Sequence, residues 1–212
     1  SGNSGGAIVP IASLNRGSLQ PMFSVIEGRV LGCLIEKERT VPDQYPLSMN
    51  SLVSACNQSS SRDPVMALDE HEVDAAVSTL KAQGCARIVH PTHGRGVVRV
   101  RQVFDEKFAL EAADAAVMGV LLVRGPQTAA ELRTRTERLH NFDNVADVDT
   151  CLHQLAERQL VQLIERQHGQ KEQRWQQLVA EEAEQSAAPA AITASGLAGS
   201  VVDRVALLEE RV

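Results

Sequence analysis

Arg87, Arg95, Arg99 and Arg101 crowd into fifteen residues together with His90 and His93. In the run Val97-Val98-Arg99-Val100-Arg101, strand alternation puts the two arginines on one face and Val98 and Val100 on the other. Guanidinium forks match phosphate geometry, so a hairpin tipped with arginine suits the backbone or minor groove of double-stranded DNA. The structural alternative is equally open, because charge protects an edge strand from further pairing. A second set, Arg133, Arg135 and Arg138, is interrupted by Glu131 and Glu137, which favours local ion pairs on a solvated helix face.

A third group is Cys56-Asn57-Gln58 with Arg62-Asp63-Pro64. A thiol at a helix end is activated when a cation sits beside it, but the sequence places no histidine or acid partner for Cys56. Arg62 reads better as a structural anchor, pairing with Asp63 or capping carbonyls to hold its loop against the first hairpin. His90-x-x-His93 beside Cys85 lacks a fourth ligand at zinc spacing, so no metal or cofactor is expected. No P-loop, Gly-x-Ser-x-Gly elbow or His-Glu-x-x-His is present, and the chain reads as a non-enzyme.

Helices and hairpins must position these groups. Ser24 with Glu27 is a capping box ahead of Val30, Leu31, Leu34 and Ile35 at helical spacing. A second helix is expected from Ser48 to about Cys56, and Asn57 to Pro64 reads as a loop. Asp69 with Glu72 opens a third helix through Val73, Val77 and Leu80, with Gly84 as its C-cap. Ala86 to Val89 and Val97 to Arg101 then form a hairpin, giving the order of a winged helix, a helix-turn-helix variant.

That order repeats. Leu31-Gly32-Cys33-Leu34 answers Met118-Gly119-Val120-Leu121 at an offset of 87, and Val73, Val77 and Leu80 answer Val148, Leu152 and Leu155 at an offset of 75. Thr128 with Glu131 caps the short middle helix, while Val161 to Glu165 and Arg174 to Leu178 flank His168-Gly169 as a second hairpin. Trp175, the one tryptophan, is expected in the core there. The expected fold is α+β, mainly helical with small hairpins, in two tandem winged-helix domains at 22–104 and 105–180. A disordered segment, 1–21, precedes them; an Ala/Ser/Gly-rich linker, 181–200, and a short helix, 201–212, follow. Val201, Val205, Leu208 and Val212 carry the 4-3-4 spacing of a coiled coil, and a homodimer is expected from it.

Net charge is −6 over 212 residues, and the excess of acid lies late. Residues 22–101 hold nine bases and nine acids, whereas 181–212 hold two and six. A generally basic surface of the kind that grips nucleic acid nonspecifically is therefore absent. The apolar run Val117 to Val123 has seven residues, nine with Ala115 and Ala116, where a membrane helix needs roughly twenty. The N-terminal Ser1-Gly2-Asn3-Ser4-Gly5-Gly6 has no basic stretch before an apolar core, and the four cysteines never form Cys-x-x-Cys. A reduced, cytoplasmic setting without membrane contact is expected.

Five blocks carry a family likeness: Leu31-Gly32-Cys33-Leu34-Ile35-Glu36-Lys37, Asp43-Gln44-Tyr45-Pro46-Leu47-Ser48, Cys56-Asn57-Gln58, Arg62-Asp63-Pro64-Val65-Met66 and Arg124-Gly125-Pro126-Gln127-Thr128. In this order, over about residues 23–180, they resemble the bacterial YceH family, tandem winged-helix proteins of unknown function. The resemblance implies that fold and a bacterial cytosolic setting, and supplies no activity. Ser59-Ser60-Ser61 and Ala129-Ala130 depart from the family pattern, the first by lacking a basic residue beside Arg62.

Two functions follow as expectations. One is a DNA-associated regulator that uses its wing arginines. The other is a protein-binding scaffold whose acidic third helices, opening Asp69-Glu70-His71-Glu72-Val73-Asp74 and with Asp147 and Asp149, face a basic partner. Acids at a helix N-terminus suit the macrodipole but would meet phosphates badly.

Overall fold

The computed structural model describes residues 21–91, 96–166 and 172–182. Arg95, His93, most of the N-terminal segment, the linker beyond residue 182 and the heptad Val201, Val205, Leu208 and Val212 lie outside the described residues.

Helix α1 spans Val25–Thr40, and both halves of its capping box form: the Glu27 amide donates to Ser24 Oγ at 3.3 Å and the Ser24 amide to Glu27 Oε2 at 2.8 Å. A short 3-10 turn leads to strand β1, Leu47–Ser48, and Ser48 caps α2, Met49–Cys56. Helix α3, Glu70–Ala82, opens on the Asp69/Glu72 box and ends before Gly84, whose φ of +69° is one that glycine adopts without strain. Strands β2, Ala86–Val89, and β3, Arg99–Gln102, pair antiparallel, and β1 joins the other edge of β3 in the order β1-β3-β2.

A second run of helices and strands follows. Helix α4, Phe104–Phe108, is a single short turn; α5 spans Ala112–Arg124, α6 Ala129–Thr136 and α7 Val145–Glu157. Strands β4, Val161–Ile164, and β5, Arg174–Gln177, form an antiparallel pair. Where β1 borders the first sheet, Gln127 bridges Trp175 in the second. Thr128 then caps α6 as Ser48 caps α2.

Helices with two small antiparallel sheets make this an α+β fold, consistent with a winged-helix-like arrangement. One hydrophobic core runs through both halves, from Leu34 and Leu80 to Leu121, Leu152 and Trp175. Helix α1 packs on α5, close enough that a Cβ at Gly32 would stand 2.8 Å from Leu122 Cβ. The segment before α1 is tied to the residues after β5: the Met22 and Phe23 amides both donate to the Val179 carbonyl at 2.9 Å. Among the described residues no helix is long and apolar enough to cross a membrane.

Two elements escape the sequence patterns, β1 and α4. Two residues and five residues are too short to show a period. Both bear on the site, because they flank the wing.

Candidate interaction site

Strand alternation in β3 does set Arg99 and Arg101 on one face, with Val100 buried on the other. Each is held by a neighbour. Arg99 Nη1 donates to the Pro46 carbonyl at 2.8 Å and to that of Gln44 at 3.4 Å, so it ties the wing to the segment before β1. Arg87 stands opposite Arg101 in the β2–β3 register, and Glu106 of α4 serves both. Arg101 Nη1 lies 2.8 Å from Glu106 Oε1, and Arg87 Nη1 lies 3.6 Å from Glu106 Oε2. The Arg101 hydrogen bond is the main reason that the Glu106 carboxyl lies below its ordinary range. Arg87 is still 62% exposed at its side chain, and the adjoining Val97 and Val98 are exposed as well.

The α6 arginines divide. Arg133 Nη2 donates to the Asp143 carbonyl at 3.1 Å, and Arg135 pairs with Glu131 at 3.6 Å in the i,i+4 geometry. Arg138 is exposed and makes no hydrogen bond or ion pair among the described residues.

The outer faces of the third helices are acidic or neutral. On α3 the exposed positions include Glu70, His71, Asp74, Ser78 and Lys81, and on α7 they include Asp147, Thr150, His153, Gln154 and Glu157. Lys81 is the one Lys or Arg across these two helices.

The Cys56 to Pro64 loop is an internal clamp. Asn57 fastens Leu68 through both amide atoms, donating to its carbonyl at 2.7 Å and accepting from its amide at 2.8 Å. Arg62, buried, spends its fork on four partners: the Ala55 carbonyl at 3.0 Å, the Ser61 carbonyl at 2.8 Å, Gln58 Oε1 at 2.9 Å and Glu36 Oε2 at 2.5 Å. The structural role expected for Arg62 holds, with a different partner and place. Its carboxylate is Glu36 of α1, not Asp63, and it secures the loop to α1 and α2, not to the hairpin. Asp63 instead donates its amide to the Val123 carbonyl at 2.9 Å, and the Pro64 carbonyl accepts from Arg29 Nη2 at 2.6 Å. The Cys56 thiol is buried; its hydrogen bond with Cys33, followed by burial, pushes it up, so it stays a neutral thiol.

Glu36, Glu106 and Arg29 are not among the candidates that the sequence reading offers. Glu36 and Glu106 look like ordinary surface acids until the fold brings Arg62 and Arg101 to them. Arg29 carried a signal, a charge set among the core-facing positions Ile26, Val30 and Cys33.

A family model described as "Protein of unknown function, DUF480" matches residues 23–170. A UPF0502 protein of Solibacter usitatus is 48% identical over 188 residues, covering 88% of this chain and 89% of the relative. UPF0502 proteins of Geobacter sulfurreducens and Shewanella loihica are 45% and 44% identical, covering 90% and 88% of this chain and 89% and 91% of the relatives. The matched span runs from the first residues of the core to the second hairpin, and the chain belongs to this DUF480, or UPF0502, family of bacterial proteins of unknown function.

Proposed function

We propose that the chain is a tandem winged-helix protein that works by binding a protein partner, without catalysis, through the acidic outer faces of α3 and α7. The two-unit reading is supported by the recurring element order and by the 87 and 75 residue offsets between equivalent helices. The observation that carries the partner class is Lys81, a single base on the two helices that would otherwise enter a major groove. Duplex binding draws its affinity from neutralised phosphates, and Glu70, Asp74 and Glu157 would repel them. A basic protein surface meets the same faces with complementary charge. Dimerisation through residues 201–212 belongs to this reading, as does a reducing cytoplasmic setting for four unpaired, buried cysteines.

A second reading, DNA contact by the wing, is favoured by the exposure of Arg87. It is weakened by the commitment of Arg87 and Arg101 to Glu106 and of Arg99 to backbone carbonyls.

A labelled Lys/Arg-rich peptide tests the partner class. The variant Glu70→Gln/Asp74→Asn/Glu157→Gln is expected to weaken its binding by about tenfold at low salt. The equally neutralising Asp43→Asn/Glu137→Gln/Glu165→Gln, whose exposed positions lie off α3 and α7, is expected to leave it unchanged. Equal losses in the two variants would mean that only net charge is felt and would overturn the assignment.

A further inference from the structure

Between the two halves lies a cavity of about 640 Å³, walled by α1, the Asp63 to Met66 segment, the end of α5, α6 and β5. Its size is that of a small-molecule site. Four arginines are among the residues that line it, Arg29, Arg124, Arg135 and Arg174. We propose that this cavity is a binding site for a small oxyanion, a phosphate or carboxylate group, held chiefly by Arg29 and Arg124.

Arg29 is 2% exposed. Its Nη1 donates to the Cys56 carbonyl at 3.2 Å and its Nη2 to the Pro64 carbonyl at 2.6 Å, but its buried Nε has no hydrogen-bond partner. It forms no ion pair among the described residues; burial is the largest influence on it and disfavours its charge, against weaker favourable fields from Cys33, Cys56 and Asp63. Such a charge is costly unless an anion compensates it. Two backbone carbonyls fix the guanidinium in place, the preorganisation that a binding group needs.

Arg124, the last residue of α5, is half-buried, and its guanidinium makes no hydrogen bond or ion pair among the described residues. Burial and then the nearby charge of Arg135 make its protonated form less comfortable. Arg135 and Arg174 share one carboxylate, Glu131, at 3.6 Å and 2.7 Å, which leaves that trio with an excess positive charge. Asp63, Glu181 and Glu182 also line the cavity, and all three are exposed. Leu121, Leu122, Pro126 and Ala180 complete the wall and offer apolar surface to the rest of such a ligand.

The site takes Arg29 from the first half and Arg124, Arg135 and Arg174 from the second, so a bound anion would bridge the two. This inference stands apart from the partner proposed above, since none of these residues is on α3 or α7.

The test is calorimetric titration of the full chain at fixed ionic strength, with inorganic phosphate in one arm and citrate in the other. Trp175 fluorescence reports in parallel, because this one tryptophan follows Arg174 and is bridged to Gln127, which also lines the cavity. One saturable site is expected for at least one probe: phosphate alone identifies a phosphate ligand and citrate alone a carboxylate. Arg124→Gln removes an arginine that holds nothing else, and should weaken binding by about tenfold or more while leaving the ligand-free thermal midpoint unchanged. Arg124→Lys, which keeps charge but not the fork, should fall between. Failure of both probes to saturate, or saturation that Arg124→Gln leaves intact, would overturn the site.

Discussion

Gly32 of α1 and Gly119 of α5 meet across the contact between the two halves: a Cβ at Gly32 would stand 3.4 Å from the Gly119 carbonyl oxygen. The two glycines occupy equivalent places in the repeated motif, 87 residues apart. The two helices thus meet through a glycine on each, which lets their backbones approach.

A side chain at either glycine should therefore push the halves apart. A Cβ at Gly32 would meet Val123 Cγ1 at 2.7 Å and Leu122 Cβ at 2.8 Å, and one at Gly119 would meet Ile35 Cγ2 at 2.9 Å. Alanine improves helix propensity by up to about 1 kcal/mol, whereas overpacking a tight core costs about 1–3 kcal/mol. Gly32→Ala is expected to destabilise by about 1 kcal/mol or more in urea melts. A neutral or stabilised variant would show that the helices separate freely.

Removing Arg62 leaves the largely buried Glu36 with only the Lys37 ammonium at 3.9 Å in place of a guanidinium at 2.5 Å; the Arg62 and Glu36 side chains are 0% and 18% exposed. Arg62→Ala should cost about 3–5 kcal/mol, and Arg62→Lys should recover little, since an ammonium cannot serve Ala55, Ser61, Gln58 and Glu36 together. The paired change Arg62→Met with Glu36→Leu should be milder than Arg62→Ala. A cost under 1 kcal/mol for Arg62→Ala would reduce the clamp to a surface contact.

Acid should loosen the second half through Glu131. Burial raises its carboxyl, but the Thr128 amide and Arg174 outweigh burial and hold it below its ordinary range. A carboxylate with a folded pKa below the unfolded one contributes stability that is present above the unfolded value, about 4.3. That stability is lost as pH falls through the folded value. Glu131→Gln should flatten the slope of stability against pH below about 4.5, and an unchanged slope would mean that the Arg174 contact is not kept in solution.

Leu80 and Leu155 sit fully buried at equivalent positions of α3 and α7. Each alanine substitution should cost about 2–5 kcal/mol, a loss read from chemical denaturation. Less than 1 kcal/mol at Leu155 would count against its place in the core.

Much of this architecture is legible in the sequence because its signals are local. Ser24, Asp69 and Thr128, each with Glu three residues on, declare helix starts by a hydrogen-bond pattern that needs no tertiary context. The leucines of α3 and α7 follow from periodicity in the same way, and Trp175 from being the one tryptophan, placed on the last strand. The site is less legible. The wing arginines are visible as a cluster, but Glu106, which occupies two of them, lies on a helix too short to announce itself. Arg62 finds its acid 26 positions away, a choice made by the packing of α1 against the loop. Arg124 and Arg29 share a cavity only because α1 and α5 cross, and no local pattern records that crossing.

A protein partner in place of DNA is tested by fluorescence anisotropy with a labelled random duplex, at low and at physiological salt. Wild type and Arg99→Ala/Arg101→Ala should behave alike, with no salt-sensitive rise in anisotropy through roughly 10 μM protein. Salt-sensitive binding by the wild type that the double substitution weakens would contradict it and place the wing on DNA.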